Sequence, residues 1–139
     1  MPANTSPIFV LTPRAVTAVI AAANTARDGS GTLVDTMTAG SNGSRVDFIV
    51  FTSSQATAAA SAARVQRVFL TDTGGLNPRI ISEVVLPAVT PSTTAIGATV
   101  TITYTNGLVL ASGQKIQVAQ SVYGSAADGT AVLVRGGDF

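Results

Sequence analysis

Alternating apolar and polar residues mark a series of short strands along the chain. In the stretch "TVTITYT" (99–105), Val100, Ile102 and Tyr104 alternate with threonines. This period of two is typical of a strand with one buried face, and threonine on the other face favours extended backbone. Six further segments have strand character: 31–39, 45–52, 64–72, 79–87, 115–123 and 131–136.

Clusters of glycine, asparagine, aspartate and serine separate these segments. Glycine adopts positive φ angles without steric cost, and asparagine and aspartate tolerate them, so such clusters predict turns. Many short strands at this spacing, without alternation of strands and helices, predict an antiparallel sandwich or barrel. The predicted turns are "AGSNGS" (39–44), "DTGGLNP" (72–78), "TNG" (105–107), "ASG" (111–113) and "SAADG" (125–129).

Two segments have more than one interpretation. In "TPRAVTAVIAAANTARDG" (12–29), Thr12 and Pro13 are suited to a helix start, but apolar residues alternate over 16–22 and β-branched residues are frequent. We therefore favour a strand there. The stretch "SSQATAAASAAR" (53–64) is compatible with a short alanine-rich helix or a loop, and we predict the loop.

The strand count and the length together predict one all-β domain. With the N-terminal segment included, the chain has about eight strands, which is the number in a jelly roll. A chain of 139 residues is the length of a single domain. We predict a single-domain antiparallel jelly-roll sandwich over residues 14–139, preceded over residues 1–13 by an extended arm or a first strand.

The composition is poor in charge. Charged residues make up 11% of the chain, against about 25% in typical soluble domains. Because a freely diffusing protein usually keeps a more charged surface, this favours a subunit that is packed against partners. A secreted or simply threonine-rich β domain is the alternative interpretation.

The eight cations form no cluster along the sequence, so nucleic-acid binding is not expected. Arg64 and Arg67 are expected on a solvated face. No apolar run reaches the roughly 18 to 20 residues needed to span a bilayer, so we expect no membrane partner. The N-terminus lacks the pattern of a signal peptide, which predicts use without Sec export. The absence of cysteine excludes thiol chemistry and disulfides.

Few residues are suited to catalysis. The chain has no histidine and no cysteine, which removes the common general base, every Ser-His-Asp triad and zinc ligation by these residues. The seven carboxylates mostly flank predicted turns or alternate outward along strands. We therefore predict no enzyme activity, and no catalytic, cofactor-binding or metal-binding residue.

The polar stretch "NTARDGSGT" (24–32) lacks the pattern of a known ligand loop. If Asp28 begins a calcium loop, the sixth residue is Leu33 where glycine is needed, and the twelfth is Ala39 where glutamate is needed. A dinucleotide loop would need a third glycine and a following helix. The dipeptide Asp28–Gly29 instead matches a tight hairpin turn, beside which Arg27 and Asp28 could pair.

The order of several segments resembles a known family. These are "AANTARDGSGTLVDTMTAGSNGSRVD" (22–47), a following hydrophobic strand pair, "GLVLASGQKIQVAQS" (107–121) and a terminal "RGGDF" (135–139). Together they resemble the cement, or decoration, proteins of Bordetella-type podophage capsids, a family of small phage structural proteins. The resemblance covers most of the chain from Thr12 onward, through turn and strand residues and not through a catalytic signature.

The resemblance implies a jelly-roll homodimer on the outer surface of the virion, assembled in the host cytoplasm. Such a subunit binds across contacts between major capsid proteins and needs no cofactor. No functional residue is carried over individually, because the family has no site motif. The alternative function is a carbohydrate- or receptor-binding β module of a phage tail fibre or baseplate, since jelly rolls serve both roles. The small number of aromatic residues argues against a sugar platform.

The chain ends provide the candidate protein-interface residues. The arm "PANTSPIFVLTP" (2–13) carries an apolar run between prolines. Such an arm either lies extended along a neighbour, adding backbone hydrogen bonds at an exposed edge, or forms the first strand of its own sheet. The last residue is either a core plug or a contact anchor. The predicted interface residues are Ile8, Phe9, Val10, Leu11 and Phe139.

Overall fold

The computed structural model of the protein describes residues 9–53 and 59–139. These residues form eight β-strands and one short 3-10 helix at Ala126–Asp128. The strands are β1 Thr12–Ile20, β2 Val34–Thr38, β3 Ser44–Ser53, β4 Arg64–Leu70, β5 Arg79–Leu86, β6 Thr99–Leu110, β7 Lys115–Gln120 and β8 Thr130–Asp138. The prediction of a strand at the start of the chain is confirmed by β1.

The strands form two antiparallel four-stranded sheets packed face to face. Sheet A has the order β1-β8-β3-β6, and sheet B has the order β2-β7-β4-β5. The pairs β1·β8, β2·β7, β3·β6 and β4·β5 are nested, as in one long hairpin folded in half and wrapped into two layers. This is the topology of a jelly roll, which confirms the predicted fold class.

The core lies between the sheets and follows the alternation in the sequence. Val16, Ala18 and Ile20 of β1 point inward while their neighbours are exposed. Val100, Ile102 and Tyr104 of β6 likewise pack against the core. Burying each such side chain stabilises the folded state by roughly 1.5–3 kcal/mol, before the loss of conformational entropy is subtracted. The fully buried centre contains Met37, Val46, Ile49, Phe51, Val68, Leu110, Ile116, Val118 and Val134.

The predicted turn at 105–107 is wrong, because β6 continues through it to Leu110. Asn106 and Gly107 have positive φ angles of 67° and 77°, but they form a bulge. Val46 pairs with Leu108 and Phe48 with Thr103, so four residues of β6 lie opposite one residue of β3. A bulge uses the same residue types as a turn, so asparagine followed by glycine does not by itself distinguish the two.

The predicted hairpin at Asp28–Gly29 is also wrong. Its flanking strands lie in different sheets, since β1 pairs with β8 and β2 pairs with β7. Residues 21–33 therefore form a crossover between the two sheets. Within it, the Asp28 carboxylate accepts hydrogen bonds from the backbone N–H and the hydroxyl of Ser30. The local turn chemistry was correctly interpreted, but not the connection that it makes.

Part of the predicted loop at 53–64, residues 54–58, lies outside the described residues. Over residues 59–63 no helix forms, and Ser61 makes an isolated antiparallel bridge with Val89. The predicted arm of residues 1–13 is described only in part, because residues 1–8 lie outside the described residues. Its last two residues, from Thr12, already belong to β1.

The prediction that Arg64 and Arg67 are solvated is wrong. Both lie on β4, an inner strand of sheet B, and they are only 2% and 7% exposed. Arg64 points between the sheets, where its guanidinium donates to Ala62 O at 2.9 Å and Gly129 O at 3.1 Å. Burial lowers the pKa of Arg64 from its ordinary value. Such contacts satisfy the buried donors without a carboxylate partner.

Candidate docking surfaces

The described end of the N-terminal arm extends its own sheet. The Leu11 N–H donates to Asp138 O at 2.9 Å, which continues the β1·β8 ladder by one step. The Val10 side chain occupies the space that a Cβ at Gly137 would need. Phe9 and Leu11, in contrast, are 69% and 76% exposed. Of the predicted interface residues, Ile8 lies outside the described residues.

The C-terminus is fixed beside the same end of sheet A. Phe139 is half-buried, and its N–H donates to Gly43 O at 3.2 Å. The Asp138 carboxylate accepts a hydrogen bond from the Ser44 hydroxyl and forms an ion pair with Arg14 at 3.1 Å. These two partners, Ser44 first, lower the pKa of Asp138. The structure thus brings Phe9, Leu11 and Phe139 to one corner of the molecule, which we call the terminal corner.

A second surface is the outward side of sheet A, which the sequence analysis did not identify. We define the open face by the outward side chains within 15–19, 131–135, 48–52 and 99–103. The β-ladders align these side chains in rows, such as Thr17, Leu133, Val50 and Thr101. Every one of them is exposed or half-exposed. Only Arg135 among them is charged, and five are threonines.

The open face contains a shallow cavity of about 350 Å³. It forms where the small side chain of Ala131 lies between larger neighbours on three strands. Val19 of β1, Leu133 of β8 and Val50 of β3 provide apolar walls. The volume is at the lower end of the range for small-ligand sites, and the convergent polar groups typical of such sites are lacking among its walls.

The outward side of sheet B is, by contrast, partly covered. Phe69 and Ala119 are 0% and 1% exposed, although strand alternation directs both away from the core. The crossover of residues 21–33 lies over this side. Its contacts include a parallel bridge between Ala23 and Gln120 and a hydrogen bond from Arg67 Nη1 to Asn24 O at 2.9 Å.

Ion pairs also fasten the crossover to sheet B. Glu83 of β5 accepts from Arg27 of the crossover at 2.6 Å and from Arg67 at 3.0 Å. These contacts, that with Arg27 first, lower the pKa of Glu83. Arg27 is therefore paired with Glu83 of β5 and not with its neighbour Asp28. Further along the same sheet, Lys115 lies 2.7 Å from Asp35.

One buried amide organises the crossover. Asn24 is 6% exposed, and its Nδ2 donates to Ser30 O and Thr32 O, both at 2.9 Å. Its Oδ1 accepts from the Ala26 N–H at 3.0 Å. The side chains of Asn24 and Asp28 thus hydrogen-bond within the stretch 24–32, whereas the backbone of Asn24 and the side chain of Arg27 bond to sheet B. The stretch serves as the cover of sheet B, and its asparagine supplies the local order.

The described residues give few signs of chemistry. Over 9–53 and 59–139, no group of three or more aspartate or glutamate residues is placed to hold a metal ion. No helix in these ranges is long and apolar enough to cross a membrane. No protein-family model, curated protein or solved structure matches the chain. The terminal corner and the open face are therefore the candidate docking surfaces of the described residues.

Proposed function

We propose that this chain is a structural virion protein that binds the outside of a phage head and cements neighbouring major capsid proteins non-covalently. The observation that carries the proposal is the open face of sheet A, a surface of threonine and aliphatic side chains with one charge. Burying such a face against a partner removes apolar area from water and desolvates few charges. A surface of this kind is suited to a stable interface with another protein.

The size and position of the two surfaces fit a bridging role. From strand spacing and rise, the open face covers on the order of 300 Å², well below the roughly 800 Å² per partner of a stable interface. Leu11, the residue before β1, and Val19, at the cavity, lie eight positions apart in extended chain, which is about 26 Å. The terminal corner and the open face can therefore contact different neighbours, and two weak contacts on a fixed lattice reinforce each other through effective concentration.

The proposal is tested by adding the purified protein to phage heads that lack it. Bound and free protein are separated by sedimentation, and copies are counted per major capsid subunit. Saturation at a fixed ratio of many copies per head is expected. Heads carrying the protein should also withstand a higher temperature, because binding to the assembled shell stabilises that state by mass action.

Two results would overturn the proposal. Binding of a handful of copies or none would show that the chain does not coat the capsid surface. Unchanged heat resistance would show that it does not cement the shell. Binding to host surface glycans would instead revive the receptor-binding alternative. The homodimer implied by the family resemblance is part of the proposal, and sedimentation equilibrium of the free protein tests it separately.

A further inference from the structure

Among the residues that the structure describes, Arg135 is the one cation with neither burial nor a carboxylate partner. Five arginines and Lys115 lie in ion pairs, and Arg64 is buried against backbone carbonyls. Arg135 is exposed, and no described carboxylate lies within 4.0 Å of it. The undescribed segments 1–8 and 54–58 contain no aspartate or glutamate. Its charge is thus available to another molecule.

This charge lies on the same face and the same strand as the cavity. Ala131, Leu133 and Arg135 all point outward from β8, while Val132 and Val134 between them are buried in the core. Arg135 lies four positions after Ala131, the floor of the cavity, which is about 13 Å along the strand. The apolar cavity and the cation therefore lie on one continuous surface.

The cavity is suited to a single side chain of a partner protein. Its walls are aliphatic side chains and threonines from β1, β8 and β3, so an apolar group gains by entering it. A small polar ligand would find few groups to orient it. The outward side chains of the open face include no carboxylate, and Asp47, next to Phe48 on β3, is already paired with Arg45 at 2.8 Å. The complementary partner group opposite Arg135 is therefore a carboxylate.

We propose that the open face receives an extended segment of the shell protein in which an apolar residue and an acidic residue point the same way, four positions apart. The apolar side chain fills the cavity over Ala131, and the carboxylate pairs with Arg135. Four positions of extended chain span about 13 Å, the same separation as on β8. This inference rests on the proposed function and names the partner chemistry of the open face.

The experiment measures binding of variants to heads that lack the protein. Ala131→Leu fills the cavity, and Arg135→Glu reverses the charge. Each should weaken binding about tenfold, because one removes the space for the partner side chain and the other opposes like charges. Ala111→Leu, at an exposed turn, and Arg79→Glu, on sheet B, are the matched controls and should bind within about twofold of the unchanged protein.

Salt dependence gives a second measurement that does not rely on the two main variants. Binding of the unchanged protein should weaken as salt is raised, and Arg135→Gln should show a smaller dependence. Unfolding midpoints confirm that each variant is folded. If heads bind the unchanged protein while Ala131→Leu and Arg135→Glu bind equally well, the inference is overturned and the proposed function stands. If heads do not bind the unchanged protein, both are overturned.

Discussion

Replacing Asn24 by alanine tests whether one buried amide holds the crossover on sheet B. The substitution removes two hydrogen bonds donated to the carbonyls of Ser30 and Thr32 and one accepted from the Ala26 N–H. It leaves the backbone carbonyl of Asn24 in place, so its bond with Arg67 is retained. The change therefore isolates the side-chain amide from the other contacts of the crossover.

The magnitude follows from the number of bonds and from their access to water. A neutral hydrogen bond contributes about 0.5–1.5 kcal/mol net, so three contribute about 3 kcal/mol. Ser30 and Thr32 are exposed residues, so their carbonyls can rebind water once the amide is gone. This recovery reduces the expected loss to about 2 kcal/mol in the free energy of unfolding.

Urea unfolding followed by circular dichroism measures this loss. The midpoint should fall while the slope of free energy against urea stays unchanged, because the fold buries the same surface. Asn42→Ala is the matched control, since Asn42 is exposed and makes one long contact of 3.4 Å with Phe139 O. It should cost less than about 0.5 kcal/mol. Equal losses in the two variants would refute the role assigned to Asn24.

Three further substitutions probe the rest of the fold by the same unfolding measurement. Arg64→Ala should cost about 3 kcal/mol or more, because it deletes charge-assisted bonds at a site 2% exposed; a loss below about 1 kcal/mol would contradict this. Gly136→Ala should be at least as damaging, because its Cβ would overlap the backbone oxygen of Arg45. Its control, Gly74→Ala, meets no atom within 4 Å and should cost only about 1 kcal/mol for its positive φ. Backbone N–H donors, that of Ala62 first, lower the pKa of Asp128, so its contribution is complete above about pH 5 and is lost as the pH falls below about 4. Asp128→Asn should therefore flatten the acid side of the stability profile, and an unchanged acid slope would contradict the assignment.

The strands could be predicted because each half-buried strand carries its alternation locally. Residues 16–22 and 99–105 each indicate a strand with two different faces, and nothing distant is needed to see it. The pairing of the strands was not visible, because glycine and asparagine mark a bulge and a turn alike. At Asn106–Gly107 the difference is set by the partner strand β3, which lies sixty residues away.

The burial of arginine shows a second limit of sequence reasoning. Arg64 and Arg67 are three residues apart on one strand, and burial covers both sides of that strand. Arg64 enters the space between the sheets, whereas Arg67 is covered by the crossover. Composition predicts that arginine is solvated, since it is rarely buried without partners. Here the partners are backbone carbonyls and Glu83, which only the folded chain assembles.

The candidate surfaces were predictable only in part, for the same reason. The apolar run at 8–11 indicated either a contact arm or the first strand of its own sheet. In the structure Leu11 extends the β1·β8 ladder, while the side chains of Phe9 and Leu11 are exposed. The open face gave no such signal, because Leu133 and Val50 alternate like any strand residues. Among the described residues, the difference between the two outward faces is set by the path of residues 21–33, which crosses sheet B.

The charges of this chain are distributed unevenly over the two sheets, and the distribution sets how the molecule would lie on a shell. Sheet B and its crossover carry the ion pairs of Glu83, Asp35 and Asp72. The ion pairs of sheet A, Arg14–Asp138 and Arg45–Asp47, lie toward the terminal corner, and within the open face Arg135 is the one charged residue. An exposed ion pair costs little to keep in water and much to bury. On the proposed function, sheet B therefore faces solvent and sheet A faces the capsid. The crossover of residues 21–33 then lies on the outermost surface of the particle. There its order depends on Asn24 and not on any contact with the shell.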